Sequence, residues 1–229
     1  MRRARSLILA MVGMVTLWTA PAVAERMVRL GVLNDGSGPY SDLSGRKSVI
    51  AAELAVEDFS ASLPSGQAPI RVEIFYADHQ NKADIGAEIV RRWVDTEHVD
   101  AVVDVPNTSV ALAVNEIMRA RDRVFLGSSV ASSDLTGPKC APTTVQWTFD
   151  TWALAHATAS TVVKRGGGSW FFLTADYAFG YSLEENTTKT VDAKGGKVLG
   201  TVRFPIGATD YSAFLLQAQA SGAKVVGLA

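Results

Sequence analysis

Residues 70–126 read IRVEIFYADHQNKADIGAEIVRRWVDTEHVDAVVDVPNTSVALAVNEIMRARDRVFL, and this stretch decides the fold class. Apolar runs rich in β-branched residues at 70–76, 101–105 and 124–126 are predicted strands. Between them, apolar residues recur with helical spacing in segments 85–94 and 110–118. Parallel neighbours in a sheet need a crossover connection, and a helix supplies it. The alternation therefore predicts an α/β fold, a parallel sheet with helices on both faces.

The same alternation continues on both sides of this stretch. Further strands are predicted at 27–33, 170–173, 197–204 and 224–229, and a helix is predicted around 214–218. Segment 137–150 breaks the pattern and ends at Asp150, a typical N-cap residue for the helix that follows. We interpret this segment as the passage between two α/β units, an N-terminal one at 25–148 and a second one at 149–229.

The first 24 residues have the order of a secretory signal peptide. Arg2, Arg3 and Arg5 precede an apolar run at 7–18, and Ala22-Val23-Ala24 provides a small-residue cleavage site. The run is too short for a transmembrane helix, which needs about 20 apolar residues. Cleavage after Ala24 predicts a soluble periplasmic product.

Charge excludes a nucleic-acid partner. The formal net charge of the chain is -1, and removal of the three signal-peptide arginines makes it more negative. No basic cluster follows the signal peptide, whereas nucleic-acid-binding proteins carry a basic patch or stripe.

Loops at the carboxyl ends of the strands are the place to search for a site, because ligands of open parallel sheets bind there. Most of these loops are rich in hydroxyl and amide side chains, which suit a neutral ligand contact and also ordinary helix caps. Gly36-Ser37-Gly38 follows a strand, but neither a third glycine at dinucleotide spacing nor a Gly-Lys-Ser/Thr sequence accompanies it. No cofactor is expected.

Catalytic groups are scarce. The three histidines, at 79, 98 and 156, lack metal-ligand spacing, so neither a metal site nor a catalytic residue is predicted. His79 alone lies in a site-facing loop, and its neighbour Asp78 is interpreted as a helix cap. Ser128-Ser129 lacks the second glycine of a nucleophile elbow. A periplasmic hydrolase that uses His79 with a serine remains the alternative.

Aromatic residues favour a binding protein. Tyr40, Tyr177 and Phe179 fall in strand-end loops, where rings can close over an apolar ligand. For Phe179, a place over the core of the second unit is an equally good interpretation.

Several segments, in the right order, resemble the leucine/isoleucine/valine-binding family of periplasmic ABC-transporter proteins. They are GVLND at 31–35, SGPY at 37–40, AAELAVEDF at 51–59, DYAFG at 176–180 and GATDYS at 207–212. The resemblance covers essentially the whole chain after the signal peptide.

This resemblance implies a type I periplasmic binding protein fold, in which two α/β lobes close by a hinge on a small ligand. Family positions for the ligand's carboxylate match Asn107, Thr108, Ser128, Ser129 and Ala131. Aromatic closure from the second lobe matches Tyr177 or Phe179. The implied partners are a small-molecule ligand and an ABC permease in the inner membrane, and the protein is expected to be a monomer.

The resemblance also implies that the second lobe is incomplete at Ala229. The acidic residue that pairs with an amino acid's ammonium group, and a partner for Cys140, are expected beyond that point. Branched-chain or other amino acids, amides and aromatic carboxylates all remain candidate ligands. A truncated fragment that binds nothing is a further alternative.

Overall fold

The structure, a computed structural model, describes residues 26–64 and 70–229. Within them, strands alternate with helices in the order β1 (Arg26–Asn34), α1 (Gly45–Ser62), β2 (Ile70–Asp78), α2 (Ala83–Asp95), β3 (Ala101–Asp104), α3 (Thr108–Ala120), β4 (Val124–Gly127), α4 (Ser133–Thr136), β5 (Thr144–Gln146), α5 (Thr151–Lys164), β6 (Ser169–Ala175), α6 (Ala178–Ala193), β7 (Lys197–Phe204), α7 (Ser212–Ala220) and β8 (Val225–Leu228). The predicted signal peptide lies outside the described residues.

Two parallel sheets form from these strands. The first sheet has five strands in the order β2-β1-β3-β4-β5, and the second has three in the order β7-β6-β8. Every strand pair within them is parallel. The predicted α/β class with parallel sheets flanked by helices is therefore confirmed.

Helices α2 and α3 pack against one face of the first sheet. Trp93 and Val90 of α2 meet Val114 and Met118 of α3 in a buried cluster that also contains Phe125 of β4. This is the apolar stripe that the helical spacing at 85–94 and 110–118 predicts. On the opposite face, α1 lies beside an open apolar groove of about 750 Å³.

The second sheet is covered on both faces by helices. Trp170 and Phe172 of β6 pack with Ala159 of α5 and Val191 of α6. Phe171 and Leu173 point the other way and pack with Ala218 of α7. Strand β6 is the central strand of this sheet. Because side chains alternate along a strand, its residues contribute to the buried clusters on both faces.

Two short elements at the passage between the sheets were not predicted from the sequence pattern. The edge strand β5 lies within segment 137–150, which was interpreted only as a connection, and helix α4 directly precedes that segment. The predicted cap at Asp150 is confirmed, since its carboxylate accepts a hydrogen bond of 2.7 Å from the backbone N–H of Ala153.

Among the residues that the structure describes, no helix combines the length and apolar character needed to cross a bilayer.

Candidate functional site

Loops at the carboxyl ends of both sheets meet around a cleft of about 450 Å³. The first sheet's side of this cleft is lined by Tyr40, Leu43, Ser44, Ser48, Asp104 and Pro106, and by Ser128, Ser129 and Ala131 after β4. Phe149, from the passage between the sheets, and Tyr177 and Phe179, from the second sheet, complete the lining. Parallel strands bring their carboxyl ends to one edge, which is where ligands of such sheets bind.

Tyr40 and Tyr177 face each other across this cleft. Their phenolic oxygens lie 2.6 Å apart and share a hydrogen bond. Burial and this bond raise the pKa of Tyr177 far above its ordinary value, so its hydroxyl keeps its hydrogen. Whichever hydroxyl donates, the other retains a hydrogen that a ligand in the cleft can accept.

The loop that carries Tyr40 is held by buried Asp35. One carboxylate oxygen accepts from the N–H of Gly38 at 2.8 Å, and the other accepts from the N–H of Tyr40 at 2.8 Å and from Asn81 Nδ2 at 2.6 Å. A buried carboxylate requires such partners to offset its lost hydration. The Asp35 carboxylate thereby fixes where Tyr40 enters the cleft.

Asp78 supports the same loop from the neighbouring strand. Its carboxylate accepts from the N–H of Gly36 at 3.0 Å and from the hydroxyl of Ser37 at 2.6 Å. Burial raises the pKa of this carboxyl, but the hydrogen bonds outweigh it and hold the pKa below its usual range. The interpretation of Asp78 as a helix cap was wrong, because α2 begins at Ala83 with Lys82 at its N-cap position.

Asp104 closes β3 at the floor of the cleft and is 4 % exposed. Its carboxylate accepts from Asn34 Nδ2 at 3.0 Å and from the hydroxyl of Ser129. These contacts join the ends of β1, β3 and the loop after β4. Sequence reasoning missed Asp104, because it stands inside the apolar run at 101–105 and was taken as part of a strand.

Most predicted site residues lie together at the cleft. Ser128, Ser129, Ala131, Tyr177 and Phe179 all line it. Their roles in binding remain predictions, since no ligand contact tests them. The cleft position of Phe179 favours the ring-closure interpretation over a place in the core.

Asn107 and Thr108 lie elsewhere, below the cleft lining. Asn107 is the N-cap of α3, where its Oδ1 accepts from the N–H of Val110 at 3.2 Å and its Nδ2 donates to Asn81 at 3.3 Å. Thr108 is fully buried, and its hydroxyl has no hydrogen-bond partner among the described residues. Their predicted contact with a carboxylate stays a prediction.

A hydroxyl cluster joins the two sheets at a second place. The Thr151 hydroxyl lies 2.8 Å from the Ser182 hydroxyl and 3.0 Å from that of Ser133, and Asn186 Nδ2 donates to Ser133 at 3.0 Å. Ser133 belongs to α4, which lies between β4 and β5 of the first sheet, whereas Ser182 and Asn186 belong to α6. A third link runs from the N–H of Ala178 to the hydroxyl of Ser109 at 3.3 Å.

His79 does not have the surroundings of a catalytic base. It is fully buried, and its Nδ1 accepts from the N–H of Asn81 at 3.0 Å. Burial lowers the pKa of the imidazole and so favours its neutral form, and no serine hydroxyl bonds to it among the described residues. Within the same residues, no group of histidine, cysteine or acidic side chains has the arrangement of a metal site.

Cys140 is exposed and forms no disulfide within the described ranges.

Comparisons with known proteins agree on one kind of molecule. Residues 27–229 match the family model described as periplasmic binding protein. Among curated proteins, the Leu/Ile/Val-binding protein homolog 6 of Brucella abortus is 24% identical over 213 residues, which cover 90% of this chain and 52% of that protein.

Solved structures give the same picture. A periplasmic binding protein from Burkholderia mallei is 46% identical with a TM-score of 0.83, over 88% of this chain and 53% of that one. A branched chain amino acid ABC transporter periplasmic ligand-binding protein from Burkholderia xenovorans is 33% identical with a TM-score of 0.68, over 87% of this chain and 52% of that one. The chain thus spans about half the length of the relatives it matches.

Proposed function

The chain belongs to the periplasmic binding protein family, and from that premise we propose that it is the solute-binding component of an ABC importer. The two parallel sheets are part of the type I fold of that family, as the sequence predicted. The ligand of this chain is a small molecule held in the cleft between the two sheets. The family supports a periplasmic location; cleavage after Ala24 is retained as a prediction.

One observation carries this proposal, the meeting of Tyr40 and Tyr177 across the cleft. The two residues come from loops of different sheets, so a ligand beside them contacts both at once. A ligand that binds both sides stabilises the arrangement in which the sheets are close, and a partner can recognise that arrangement. The proposed partner is an ABC permease in the inner membrane, and the proposed state of the protein is a monomer. We keep the boundary between the two lobes at residues 148 and 149 as part of the proposal.

The hydrolase alternative is not supported. The family is one of binding proteins, and His79 is a buried hydrogen-bond acceptor for the Asn81 backbone. The other alternative is a chain that binds no ligand, and a measurement of binding distinguishes it from the proposed function.

Isothermal titration calorimetry of the purified protein against leucine, isoleucine, valine, acetamide and benzoate tests the proposal. We expect saturable binding of at least one of these probes. Phe179→Ala should weaken that binding by about tenfold or more, since rings buried at the centre of an interface carry much of its energy. Leu216→Ala, at an exposed position of α7 away from the cleft lining, is the control and should leave affinity unchanged. Absence of heat with every probe would favour the non-binding alternative.

A further inference from the structure

His79 is fully buried directly after β2, and one nitrogen of its ring holds the backbone of a neighbouring residue. Its Nδ1 accepts a hydrogen bond of 3.0 Å from the N–H of Asn81. A neutral imidazole that accepts at Nδ1 carries its hydrogen on Nε2. That second nitrogen is buried and has no hydrogen-bond partner among the described residues. Within the same residues, the bond to Asn81 is therefore the one hydrogen bond of the ring.

Asn81 connects this histidine to the cleft. Its Nδ2 donates to Asp35 Oδ2 at 2.6 Å, and the same oxygen accepts from the N–H of Tyr40 at 2.8 Å. The hydroxyl of Tyr40 in turn bonds to that of Tyr177. Four hydrogen bonds thus run in series from His79 to the tyrosine pair that spans the cleft.

A proton on the ring removes the first of these bonds. A protonated imidazole donates from both nitrogens, so Nδ1 of His79 can no longer accept from the N–H of Asn81. Two donors then face each other inside the protein, and the imidazolium needs a new acceptor to offset its lost hydration. Asn81 is therefore displaced, and the bond from its side chain to Asp35 is disturbed with it.

Carboxylates from three different segments act on the charge of the imidazole. They are Asp35 after β1, Asp78 at the end of β2 and Asp104 at the end of β3. Each already accepts a hydrogen bond that shapes the cleft, from the N–H of Tyr40 and the hydroxyls of Ser37 and Ser129 respectively. On the neighbouring helices, Lys82 and Asp84 at the start of α2 are exposed, and residues 108–115 of α3 are uncharged. A charged ring that turns toward any of these carboxylates competes with bonds that hold the loops of the cleft.

We propose that His79 is a positioning residue for the cleft, which holds Tyr40 in place through Asn81 and Asp35 while its ring is neutral and releases it when the ring is protonated. The effect on a ligand rests on the proposed function, whereas the effect on Tyr40 does not. Burial lowers the pKa of His79 below its ordinary value of about 6.5. The full affinity for a ligand is therefore present above that pH and is lost as the pH falls through the folded-state pKa.

Calorimetry at pH 7.5 and pH 5.0 tests the effect on a ligand. The probe is the tightest-binding one among leucine, isoleucine, valine, acetamide and benzoate. We expect its affinity to be at least about threefold lower at pH 5.0, because histidine changes its charge in this range. His79→Asn places a carbonyl oxygen near the position of Nδ1 and cannot be protonated, so its affinity should be the same at both pH values. His98→Asn removes an exposed histidine instead and should keep the full pH dependence.

A measurement without ligand tests the effect on Tyr40. Urea unfolding of Tyr40→Phe, Tyr177→Phe and the double variant gives the coupling between the two hydroxyls. This coupling should be present at pH 7.5 and absent at pH 5.0, and it should persist at pH 5.0 when His79→Asn is also present. Asn81→Gly suits the positive φ of this position and removes the side chain that bonds to Asp35. It should abolish the coupling at both pH values and remove the pH dependence of affinity. Circular dichroism melting at both pH values shows whether each variant is folded.

Specific results overturn the positioning role. It is wrong if the probe binds equally well at pH 7.5 and pH 5.0, or if His79→Asn keeps the same loss of affinity, and either result leaves the proposed function standing. It is also wrong if the coupling between Tyr40 and Tyr177 is the same at both pH values. If no probe binds at either pH, the proposed function fails, and the coupling measurement alone decides the role of His79. Should His79→Asn not fold, Asn81→Gly decides in its place.

Discussion

The phenolic oxygens of Tyr40 and Tyr177 lie 2.6 Å apart and link residues that are 137 positions apart in the chain. Tyr40 reaches this position because Asp35 holds its loop, and Tyr177 because it directly precedes α6. The bond is therefore a direct measure of how close the two sheets stand at the cleft.

Loss of this bond should lower the free energy of unfolding, and the effects of removing the two hydroxyls should not add. Tyr40→Phe and Tyr177→Phe each remove one hydroxyl, and a hydrogen bond of this kind contributes about 0.5–1.5 kcal/mol. The double variant should be no less stable than the weaker single variant, because both changes remove the same bond. Urea unfolding measures the three free energies. Tyr181→Phe is the control, since its hydroxyl bonds to Asp176 near the same sheet and its effect should add to that of Tyr40→Phe. Additive effects of Tyr40→Phe and Tyr177→Phe would contradict the coupling.

Asn107 should act as a helix cap. Asn107→Ala removes the acceptor for the N–H of Val110 and should cost about 0.5–2 kcal/mol in unfolding free energy, whereas Asn107→Ser supplies a good cap and should restore most of it. Chemical denaturation together with calorimetry separates the cap from the ligand contact that the resemblance implies. Unchanged stability in Asn107→Ala with lost ligand binding would establish the ligand contact instead.

Stability should fall as the pH drops through about 6.5, the ordinary pKa of histidine. Burial lowers the pKa of His79 in the folded state, so the unfolded state takes up a proton first. The contribution of neutral His79 is fully present above that pH and is lost as the pH falls toward the folded-state pKa. The loss of unfolding free energy between pH 7.5 and 5.5 should be smaller in His79→Gln than in the unaltered protein.

His98→Asn is the matched control for this pH dependence. His98 is exposed and has φ +55°, which asparagine tolerates, so this variant should keep the full pH effect. An equal pH effect in His79→Gln and in the unaltered protein would rule out His79 as its source.

Gly180 should not accept a side chain. A Cβ there would overlap the carbonyl oxygen of Ala175, which is backbone and cannot move aside cheaply. Gly180→Ala should therefore cost about 1–3 kcal/mol, the range for overpacking. Gly168→Ala is the control, because a Cβ there meets nothing within 4 Å and its φ is not in the left-handed region. Thermal melting compares the two, and equal melting temperatures would contradict the overlap.

The fold was predictable because it depends on local patterns. The β-branched runs became strands, with 197–204 matching β7 at both ends, and the helical spacing at 110–118 became α3. Strand β5 escaped prediction because it has three residues, lies at the sheet edge and leaves Val145 44% exposed. Such a strand forms by pairing with β4 and has almost no pattern of its own.

The sequence predicted site residues only where their position directly after a strand was enough to place them at the cleft. Ser129 and Tyr177 follow strands, and strand ends meet at one edge of a sheet, so their place at the cleft could be anticipated. Asp104 could not, because its role depends on Asn34, 70 residues away, and on the hydroxyl of Ser129. Asn107 shows the opposite difficulty, since a cap and a ligand contact favour the same residue type after a strand.

Helix α6 has a mechanical consequence. The links that it or the residue before it makes to the first sheet's side involve Tyr177, Ala178, Ser182 and Asn186, all at or near its N-terminal half. The remaining part, from Asn186 to Ala193, extends roughly 10 Å further at 1.5 Å per residue. Because Val191 near the far end packs into the core of the second sheet, the helix moves together with that sheet. A small rotation of the second sheet about these links therefore displaces the far end of the helix more than the end at the cleft. A fluorophore at Lys194, just past the far end, would register cleft closure with more displacement than one placed at the cleft itself.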